Sequence, residues 1–187
     1  AYKDGQFDDA RLNLLIALTA EKAGSIIRTY CKVIGLEKNN LGHLTGVITE
    51  NYIGQNTRWN AKWIVNATGT NADNVRKMAD PNVESRLLIS RGTHIVLKNK
   101  LCNQGVGMII PSTIDGRVLF ILPFFNHTLI GTTDIQCNQG DELASSQKEK
   151  EYLINHLKEW FPSLKNPYIS SVWSGGRPLI QSKEQII

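Results

Sequence analysis

The segment that most constrains the fold is an apolar stretch near the start of the chain. Asp8 and Asp9 can cap a helix that runs from about Ala10 to Ala23, and Gly24 is well placed to end it. Apolar residues lie nearly all the way round this helix, namely Leu12, Leu14, Leu15, Ile16 and Leu18. Such a helix is typically buried on most sides, as when it packs between a sheet and another layer. The chain therefore needs a layered fold.

A strand is expected directly after this helix. Residues 25–34 have the pattern of a strand, so a strand follows the helix as in an α/β unit. A polar turn region is expected over residues 35–42, and two further strands over residues 45–52 and 57–66. The second of these runs into the small residues Ala67, Thr68 and Gly69, and a short helix over residues 71–78 follows.

The pattern changes after Asp80 and Pro81. Short strands separated by turn residues are predicted over residues 92–97, 107–110, 117–122 and 128–131, as in an antiparallel sheet. An amphipathic helix is predicted over residues 147–161, and a last strand over residues 169–173. The order of elements predicts a mixed α/β (α+β) fold with a boundary near Asp80.

Charge and cysteine content exclude several classes of function. The 187 residues include 21 basic and 17 acidic residues, a net charge of +4. This mild excess permits an anionic ligand or an acidic membrane surface, but it does not indicate nucleic acid. Cys31, Cys102 and Cys137 form no CxxC pair, so neither a metal site nor a disulfide framework is expected, and a reducing compartment fits best. No apolar run approaches the roughly 18 residues of a membrane span.

The two ends suggest a piece of a longer protein. The chain starts at Ala1 and stops at Ile187 in mid-pattern, and no signal or transit peptide is visible. If that interpretation is right, the apolar helix and the strand after it have lost partners. Exposed apolar surface is then expected on both elements.

Five places could carry chemistry. Gly105 and Gly107 begin a GxG but lack the third glycine of a dinucleotide-binding loop, so they indicate a turn. Residues 66–69 could let a ligand approach the backbone at a sheet edge, or could form an ordinary strand-to-helix turn. The sequence around residues 131–134 could cap turn amides or direct hydroxyls towards a polar ligand.

The fourth place is Arg177, which follows Gly175 and Gly176 and precedes Pro178. A planar, permanently charged fork on a rigid loop suits a phosphate or a carboxylate, although an exposed turn arginine has the same local sequence. His94 adds a titratable ring beside a second cation, Arg91, but could equally be structural.

Taken together and in order, six motifs resemble the middle of the FAD-dependent glycerol-3-phosphate dehydrogenases, most closely the mitochondrial form. The motifs are Tyr2–Leu12, Val65–Gly69, Arg91–Val96, Asp115–Pro123, Ile130–Asp134 and Trp173–Leu179. They extend over nearly the whole chain. Each motif alone is weak, whereas the combination in this order is specific.

The resemblance implies a fold like that of glycine and D-amino-acid oxidases. Residues 1–80 would form part of a doubly wound FAD-binding domain, here incomplete. Residues 81–173 would form an interleaved antiparallel substrate domain, and residues 174–187 would return towards the FAD domain. The implied reaction oxidises sn-glycerol 3-phosphate to dihydroxyacetone phosphate by hydride transfer to FAD, and the electrons pass to quinone. The implied location is mitochondrial, at the inner membrane.

The resemblance also implies roles for individual residues. Asn66, Ala67, Thr68 and Gly69 would approach FAD, and Val33, at the end of its strand, would present its backbone to the adenine. Arg177 would lie over the flavin as the catalytic and substrate-binding arginine. His94 and Thr133 would contribute to substrate binding.

The sequence also departs from the family pattern. Gly176 stands where the family usually has a larger aliphatic residue, and Thr70 follows Gly69 where Gly-Pro-aromatic is usual. The family's glycine-rich FAD loop and its carboxy-terminal segment are absent from these residues. We therefore expect that this piece alone neither retains FAD well nor turns over substrate, and that the remaining parts of the same chain are its partners.

Two alternatives stay open. An amino-acid or amine oxidase of the same fold would use Arg177 to bind a carboxylate. A non-enzymatic, β-rich interaction module would need no cofactor. The nearly all-round apolar helix disfavours this module, because that helix needs covering layers.

Overall fold

The computed structural model describes residues 3–181, and its packing divides the chain into two compact units. The first unit ends at Val65 and the second begins at Asn66. The sequence predicted a boundary near Asp80, about one short helix later. The assignment of residues 1–80, 81–173 and 174–187 to functional domains stays a prediction. Within residues 3–181, no helix is long and apolar enough to cross a membrane.

The first unit contains one helix and a three-stranded antiparallel sheet. Its elements are α1 (Asp9–Lys22), β1 (Cys31–Lys38), β2 (Leu44–Asn51) and β3 (Asn56–Asn60), with the strands in the order β1-β2-β3. Both ends of α1 are as predicted. The Asp8 side chain accepts a hydrogen bond from the Arg11 backbone N–H, and Gly24 takes a positive φ of 95° after the helix.

The predicted burial of α1 is wrong within this chain. None of its residues is buried, and Leu14 and Ile16 are each 59% exposed. Leu12, Leu15 and Leu18 are exposed as well, because the described residues of this unit place no covering layer over them. Ile26 and Ile27, which precede β1, are also exposed. This is the exposed apolar surface expected of elements that lack partners.

The strands of the first unit lie later or end earlier than predicted. β1 begins at Cys31 and continues through Gly35, so the turn predicted over residues 35–42 is confined to its second half. There the Asn39 side chain accepts hydrogen bonds from the backbone N–H groups of Leu41 and His43. β3 stops at Asn60, which pairs with Gly46, and the Ala61 backbone N–H makes one further hydrogen bond to the Thr45 carbonyl oxygen. All described strand pairs are antiparallel, so these residues contain no parallel doubly wound sheet.

The second unit is built on a larger antiparallel sheet. Its elements are a 3₁₀ turn (Gly69–Asn71), α2 (Ala72–Ala79), β4 (Leu87–Leu97), β5 (Met108–Ile110), β6 (Leu119–Phe124), β7 (His127–Gly131), β8 (Ile135–Cys137), α3 (Gln147–Trp160) and β9 (Ile169–Ile180). The strand order is β5-β6-β7-β4-β8, and β9 pairs with β4 along its whole length. The antiparallel sheet predicted after Asp80 and the mixed α/β class are thereby confirmed.

The core of this unit lies between the sheet and α3. Leu153 and Leu157 of α3 are fully buried against the sheet residues Ile95, Leu97, Ile110, Leu119, Ile121 and Ile130. The helix begins with a capping box in which Ser146 and Glu149 exchange hydrogen bonds. One face of β4 therefore belongs to this core.

Candidate functional site

Alternation along β4 separates two sets of polar residues. Side chains of a strand point to opposite faces in turn, so Ser90, Gly92 and His94 share one face. Across the β4–β9 ladder these residues pair with Arg177, Gly175 and Trp173, in that order. Residues directly opposite each other lie on the same face of a sheet. The register therefore brings His94 and Arg177, two predicted site residues, to one face of the β4–β9 pair.

The guanidinium of Arg177 contacts two neighbouring segments, β4 and residues 132–134. Its Nη2 donates to the Thr132 hydroxyl at 2.8 Å. Its Nη1 lies 3.4 Å from both the Ser90 hydroxyl and the Thr133 carbonyl oxygen, and 4.0 Å from the Asp134 carboxylate. The Ser90 hydroxyl in turn donates to Asp134. The Arg177 side chain remains 37% exposed, so the cation is held in place and still accessible.

The neighbouring glycines suggested that Arg177 lies on a loop, but it lies within strand β9. The strand predicted to end at Trp173 continues to Ile180, because its partner β4 is 11 residues long and pairs with all of it. Gly92 on β4 leaves room for the guanidinium, since a Cβ there would overlap it. The backbone around Arg177 is therefore held rigid by its pairing with β4, whereas the sequence had suggested that Pro178 makes it rigid.

The ring of His94 packs in a narrow space on the same face. It is stacked on Trp173, with ring centroids 6.0 Å apart and an interplanar angle of 17°. Gly131 also lies beside the ring, where a Cβ would come within 2.7 Å of the ring Nε2. The ring is half-buried and packs against both residues.

Thr133 lies on the opposite face, in a buried network around Glu149. The Glu149 carboxylate pairs with Arg91 at 2.7 Å and accepts hydrogen bonds from the hydroxyls of Thr93, Thr133 and Ser146, each at 2.8 Å. Burial alone would raise the pKa of Glu149, but the Ser146 backbone N–H and these hydroxyls lower it to about 2. The Thr133 hydroxyl is therefore committed to Glu149, and Thr133 offers Arg177 its carbonyl oxygen.

A cavity of about 330 Å³ lies beside this network. Its lining includes Arg91, Arg117 and Tyr152. Arg117 forms an ion pair with Asp115, and Arg91 forms one with Glu149, so both cations are already neutralised. The cavity shares only Thr133 with the predicted site residues.

Residues 66–69 form an exposed turn next to β9. The Asn66 amide donates to the Ala72 carbonyl oxygen at 2.9 Å, and its oxygen accepts from the Thr68 hydroxyl at 2.8 Å. Gly69 has a φ of +56°, and a Cβ there would meet nothing within 4 Å. Ala67 and Gly69 therefore leave the backbone open to a flat ligand, which fits the predicted approach of a flavin cofactor.

This turn is joined to the strand that carries Arg177. The 3₁₀ turn Gly69–Asn71 packs on β9, and a Cβ at Gly176 would lie 2.7 Å from the Thr70 methyl group. The structure therefore brings residues 66–69 close to the Arg177 strand within the second unit. The strand predicted over residues 57–66 ends at Asn60, so residues 61–66 lead into this turn without strand structure.

Val33 lies in the first unit, near the start of β1 and not at its end as expected. It pairs with Thr49 of β2, and the ladder shifts register between Val33 and Gly35. Such a shift disturbs the regular hydrogen bonding of a strand pair. Its predicted contact with adenine stays a prediction.

The predicted site residues did not include Ser90, Gly92, Thr132 or Asp134, although Thr132 and Asp134 lie in the segment 131–134 that the sequence singled out. The period-2 alternation of β4 could have indicated Ser90 and Gly92, because His94 already marked that face. Thr132 and Asp134 flank Thr133 and contact Arg177, whereas Thr133 itself points its hydroxyl away. Among residues 3–181, no group of three or more histidine, cysteine or acidic side chains could hold a metal ion.

Comparison with protein families gives a match over the whole chain. The family described as FAD dependent oxidoreductase (DAO) matches residues 1–187. A probable mitochondrial glycerol-3-phosphate dehydrogenase of Dictyostelium discoideum is 36% identical over 97% of this chain and 30% of its own length. The mitochondrial glycerol-3-phosphate dehydrogenase of Homo sapiens is 33% identical over 96% of this chain and 26% of its own length. The chain thus spans less than a third of these relatives.

Solved structures agree with this match. The glycerol-3-phosphate dehydrogenase from Bacillus halodurans, complexed with FAD, superposes with a TM-score of 0.83 and 28% identity. The match covers 94% of this chain and 36% of that structure. Glycine oxidase from Geobacillus kaustophilus superposes with a TM-score of 0.69 and 19% identity, over 91% of this chain and 42% of its own. At that identity the glycine oxidase match shows the fold alone.

Proposed function

Since this chain belongs to the family of FAD-dependent oxidoreductases, we propose that it is the central part of a glycerol-3-phosphate dehydrogenase. The enzyme would oxidise sn-glycerol 3-phosphate to dihydroxyacetone phosphate. The similarity to glycerol-3-phosphate dehydrogenases over nearly the whole chain supports this substrate.

The observation that carries the proposal is the placement of Arg177. Its guanidinium is held by Ser90 and Thr132 and remains accessible, and the turn at residues 69–71 packs on the same strand, β9. A fixed guanidinium binds phosphate oxygens through two parallel N–H donors. An arginine held and exposed in this way can bind an anionic substrate.

FAD, when bound, supplies the acceptor for the hydride that leaves the substrate. The residues of this chain supply position and charge. Asn66, Ala67, Thr68 and Gly69 would let the cofactor approach the backbone, and Val33 would present its backbone to the adenine. Arg177 would orient the substrate and stabilise the negative charge that its hydroxyl oxygen carries after the proton leaves and before loss of the hydride completes the carbonyl. His94 would line the substrate site, and Thr133 would contribute through its carbonyl oxygen.

The test is the visible spectrum of the intact protein, expressed from the complete reading frame. Glycerol 3-phosphate should bleach the flavin absorbance, whereas amino acids and amines should leave it unchanged. The variant Arg177→Lys keeps the charge but loses the planar fork, and should need a much higher substrate concentration for bleaching. A colourless intact protein contradicts the proposal. Bleaching by an amino acid instead would favour the oxidase alternative.

The location and the electron acceptor need their own test. The relatives' names place those proteins in mitochondria, and we propose the same location for this one, at the inner membrane surface, with quinone as acceptor. Fractionation should recover the intact protein with mitochondrial membranes. The substrate-reduced protein should be reoxidised by a soluble quinone analogue without oxygen. Recovery in the cytosol, or no reaction with the quinone, would contradict these assignments.

The chain by itself should not perform the reaction. It spans 30% or less of the curated relatives, and the apolar residues of α1 are exposed within it. Residues 1–187 expressed alone should therefore purify without flavin colour. Stoichiometric FAD retained by that piece would show that the described residues suffice for binding.

A further inference from the structure

Ser90 occupies a position between a cation and an anion. It is only 4% exposed and lies directly opposite Arg177 in the β4–β9 ladder. Its hydroxyl donates to Asp134, and Arg177 Nη1 lies 3.4 Å from the same oxygen. A hydroxyl carries one hydrogen and two acceptor lone pairs. Because the hydrogen is committed to Asp134, the lone pairs of Ser90 face Arg177.

Asp134 holds Arg177 mainly through this serine. Its carboxylate is 4.0 Å from Arg177 Nη1, too far for a direct hydrogen bond. Its side chain is 55% exposed, so the direct ion pair is weakened by solvent. The carboxylate instead fixes the direction of the Ser90 hydroxyl. Thr132 fixes the other terminal nitrogen of the guanidinium at 2.8 Å.

We propose that Ser90 and Asp134 are positioning residues for Arg177, acting as a hydrogen-bonded pair that holds the guanidinium in its anion-binding orientation. The consequence for glycerol 3-phosphate rests on the function proposed above, whereas the positioning itself does not. Neither residue needs to touch the substrate for this role.

The physical effect of removing the pair is a less ordered arginine. An arginine side chain has many rotamers, and hydrogen bonds at both ends of its fork restrict them. The loss of one such bond corresponds to about a threefold to tenfold change in an equilibrium. The Arg177 guanidinium would then spend more time away from Ser90 and would be more accessible to reagents.

The test measures the reactivity of Arg177 directly. The intact protein, with its cofactor and without substrate, is treated with phenylglyoxal, and modification of individual arginines is followed by peptide mass spectrometry. Ser90→Ala and Asp134→Ala should each raise the rate at Arg177 about threefold to tenfold. Arg58, whose side chain is 76% exposed, serves as the internal reference and should be unchanged.

Two further variants sharpen the result. Ser171→Ala removes a serine from the same β4–β9 ladder, opposite Val96, and should leave the rate at Arg177 unchanged. The double variant of Ser90 and Asp134 should react more slowly than the product of the two single effects predicts, because both act through one contact. An unchanged rate at Arg177 in both single variants would overturn the proposal. A parallel rise at Arg58 would also overturn it, since it would indicate general loosening.

A kinetic measurement separates this inference from the proposed function. In the intact enzyme, Ser90→Ala should lower kcat/KM for glycerol 3-phosphate about threefold to tenfold. If the variants raise Arg177 labelling selectively but the intact wild-type enzyme does not turn over glycerol 3-phosphate, the positioning role is supported and the proposed substrate is contradicted. Unchanged labelling in an active enzyme would contradict the pair alone.

Discussion

Gly92 leaves the space that the Arg177 guanidinium occupies. A Cβ at residue 92 would lie 2.6 Å from Arg177 Nη1 and 2.6 Å from the Thr132 hydroxyl. These separations are well inside van der Waals contact, so any larger residue must displace the arginine. The absence of a side chain on β4 thus determines where the cation of β9 lies.

The variant Gly92→Ala should therefore lose activity more than stability. Its methyl group would push the guanidinium away from Ser90 and Thr132, and we expect kcat/KM to fall at least about tenfold with a fall in Tm of a few degrees. The matched control is Gly175→Ala, the ladder partner of Gly92, where a Cβ would meet nothing within 4 Å. Its Tm should be unchanged. Wild-type activity in the Gly92 variant would show that Arg177 does not need this position.

Local patterns predicted the parts of the fold whose causes are local. The bounds of α3 could be predicted because its apolar spacing is local and Pro162 follows directly after it. The strands after Asp80 could be predicted because their alternation and turn residues are local too. The sequence alone does not reveal that the apolar α1 stays exposed here, because burial depends on the layers available.

The candidate site shows where such reasoning stops. The glycines before Arg177 favour a turn locally, but pairing with β4 extends the strand through them. The sequence of residues 131–134 predicted that hydroxyl groups could lie near a ligand. It could not predict which face each side chain occupies, because that depends on tertiary contacts. Thr133 is turned towards Glu149 because that buried carboxylate needs hydroxyl donors.

The buried Glu149 predicts a dependence of stability on pH. The folded protein lowers its pKa from 4.5 to about 2. A lowered folded-state pKa stabilises the protein fully above the unfolded value, and this stabilisation is lost as the pH falls towards the folded value. The shift corresponds to about 3 kcal/mol at neutral pH. Tm should therefore fall between about pH 4.5 and pH 2 partly because of this one group.

The variant Glu149→Gln tests this assignment. At neutral pH it should be less stable by about 3 kcal/mol, because it leaves Arg91 without its buried partner. The difference in Tm from the wild type should shrink as the pH is lowered. Glu159→Gln, an exposed position on the same helix, should follow the wild type at every pH. A difference that stays constant with pH would mean that Glu149 does not carry the titration.

The Asp73 side chain connects α2 to the beginning of β4, and its removal is predicted to destabilise the protein. It is 2% exposed, and its carboxylate accepts hydrogen bonds from the backbone N–H groups of Arg86 and Leu87 at 2.8 and 3.0 Å. Burial opposes its charge, but these bonds and Arg76 lower its pKa. Asp73→Ala should cost about 2–4 kcal/mol, seen as a large fall in Tm. The control Asp80→Ala, at an exposed carboxylate, should cost less than about 1 kcal/mol.

The last prediction concerns Gly176 and Thr70, the two departures from the family pattern. A Cβ at Gly176 would lie 2.7 Å from the Thr70 methyl carbon and 2.9 Å from Leu143 Cδ1. The small residue on β9 thus accommodates the threonine of the 3₁₀ turn. Gly176→Ala should destabilise the protein by about 1–3 kcal/mol, because the turn at residues 69–71 must move away from the strand that carries Arg177.

Thr70→Ser removes only the methyl group and should recover part of that loss when combined with Gly176→Ala. The two changes should therefore be non-additive by at least about 0.5 kcal/mol in thermal unfolding of the intact protein. Thr68→Ser, which changes the same residue type in the adjacent exposed turn, is the matched control and should recover nothing. Strict additivity of the first pair would show that the two positions do not compete for the same space, since Leu143, a flexible side chain, would then have absorbed the added methyl group.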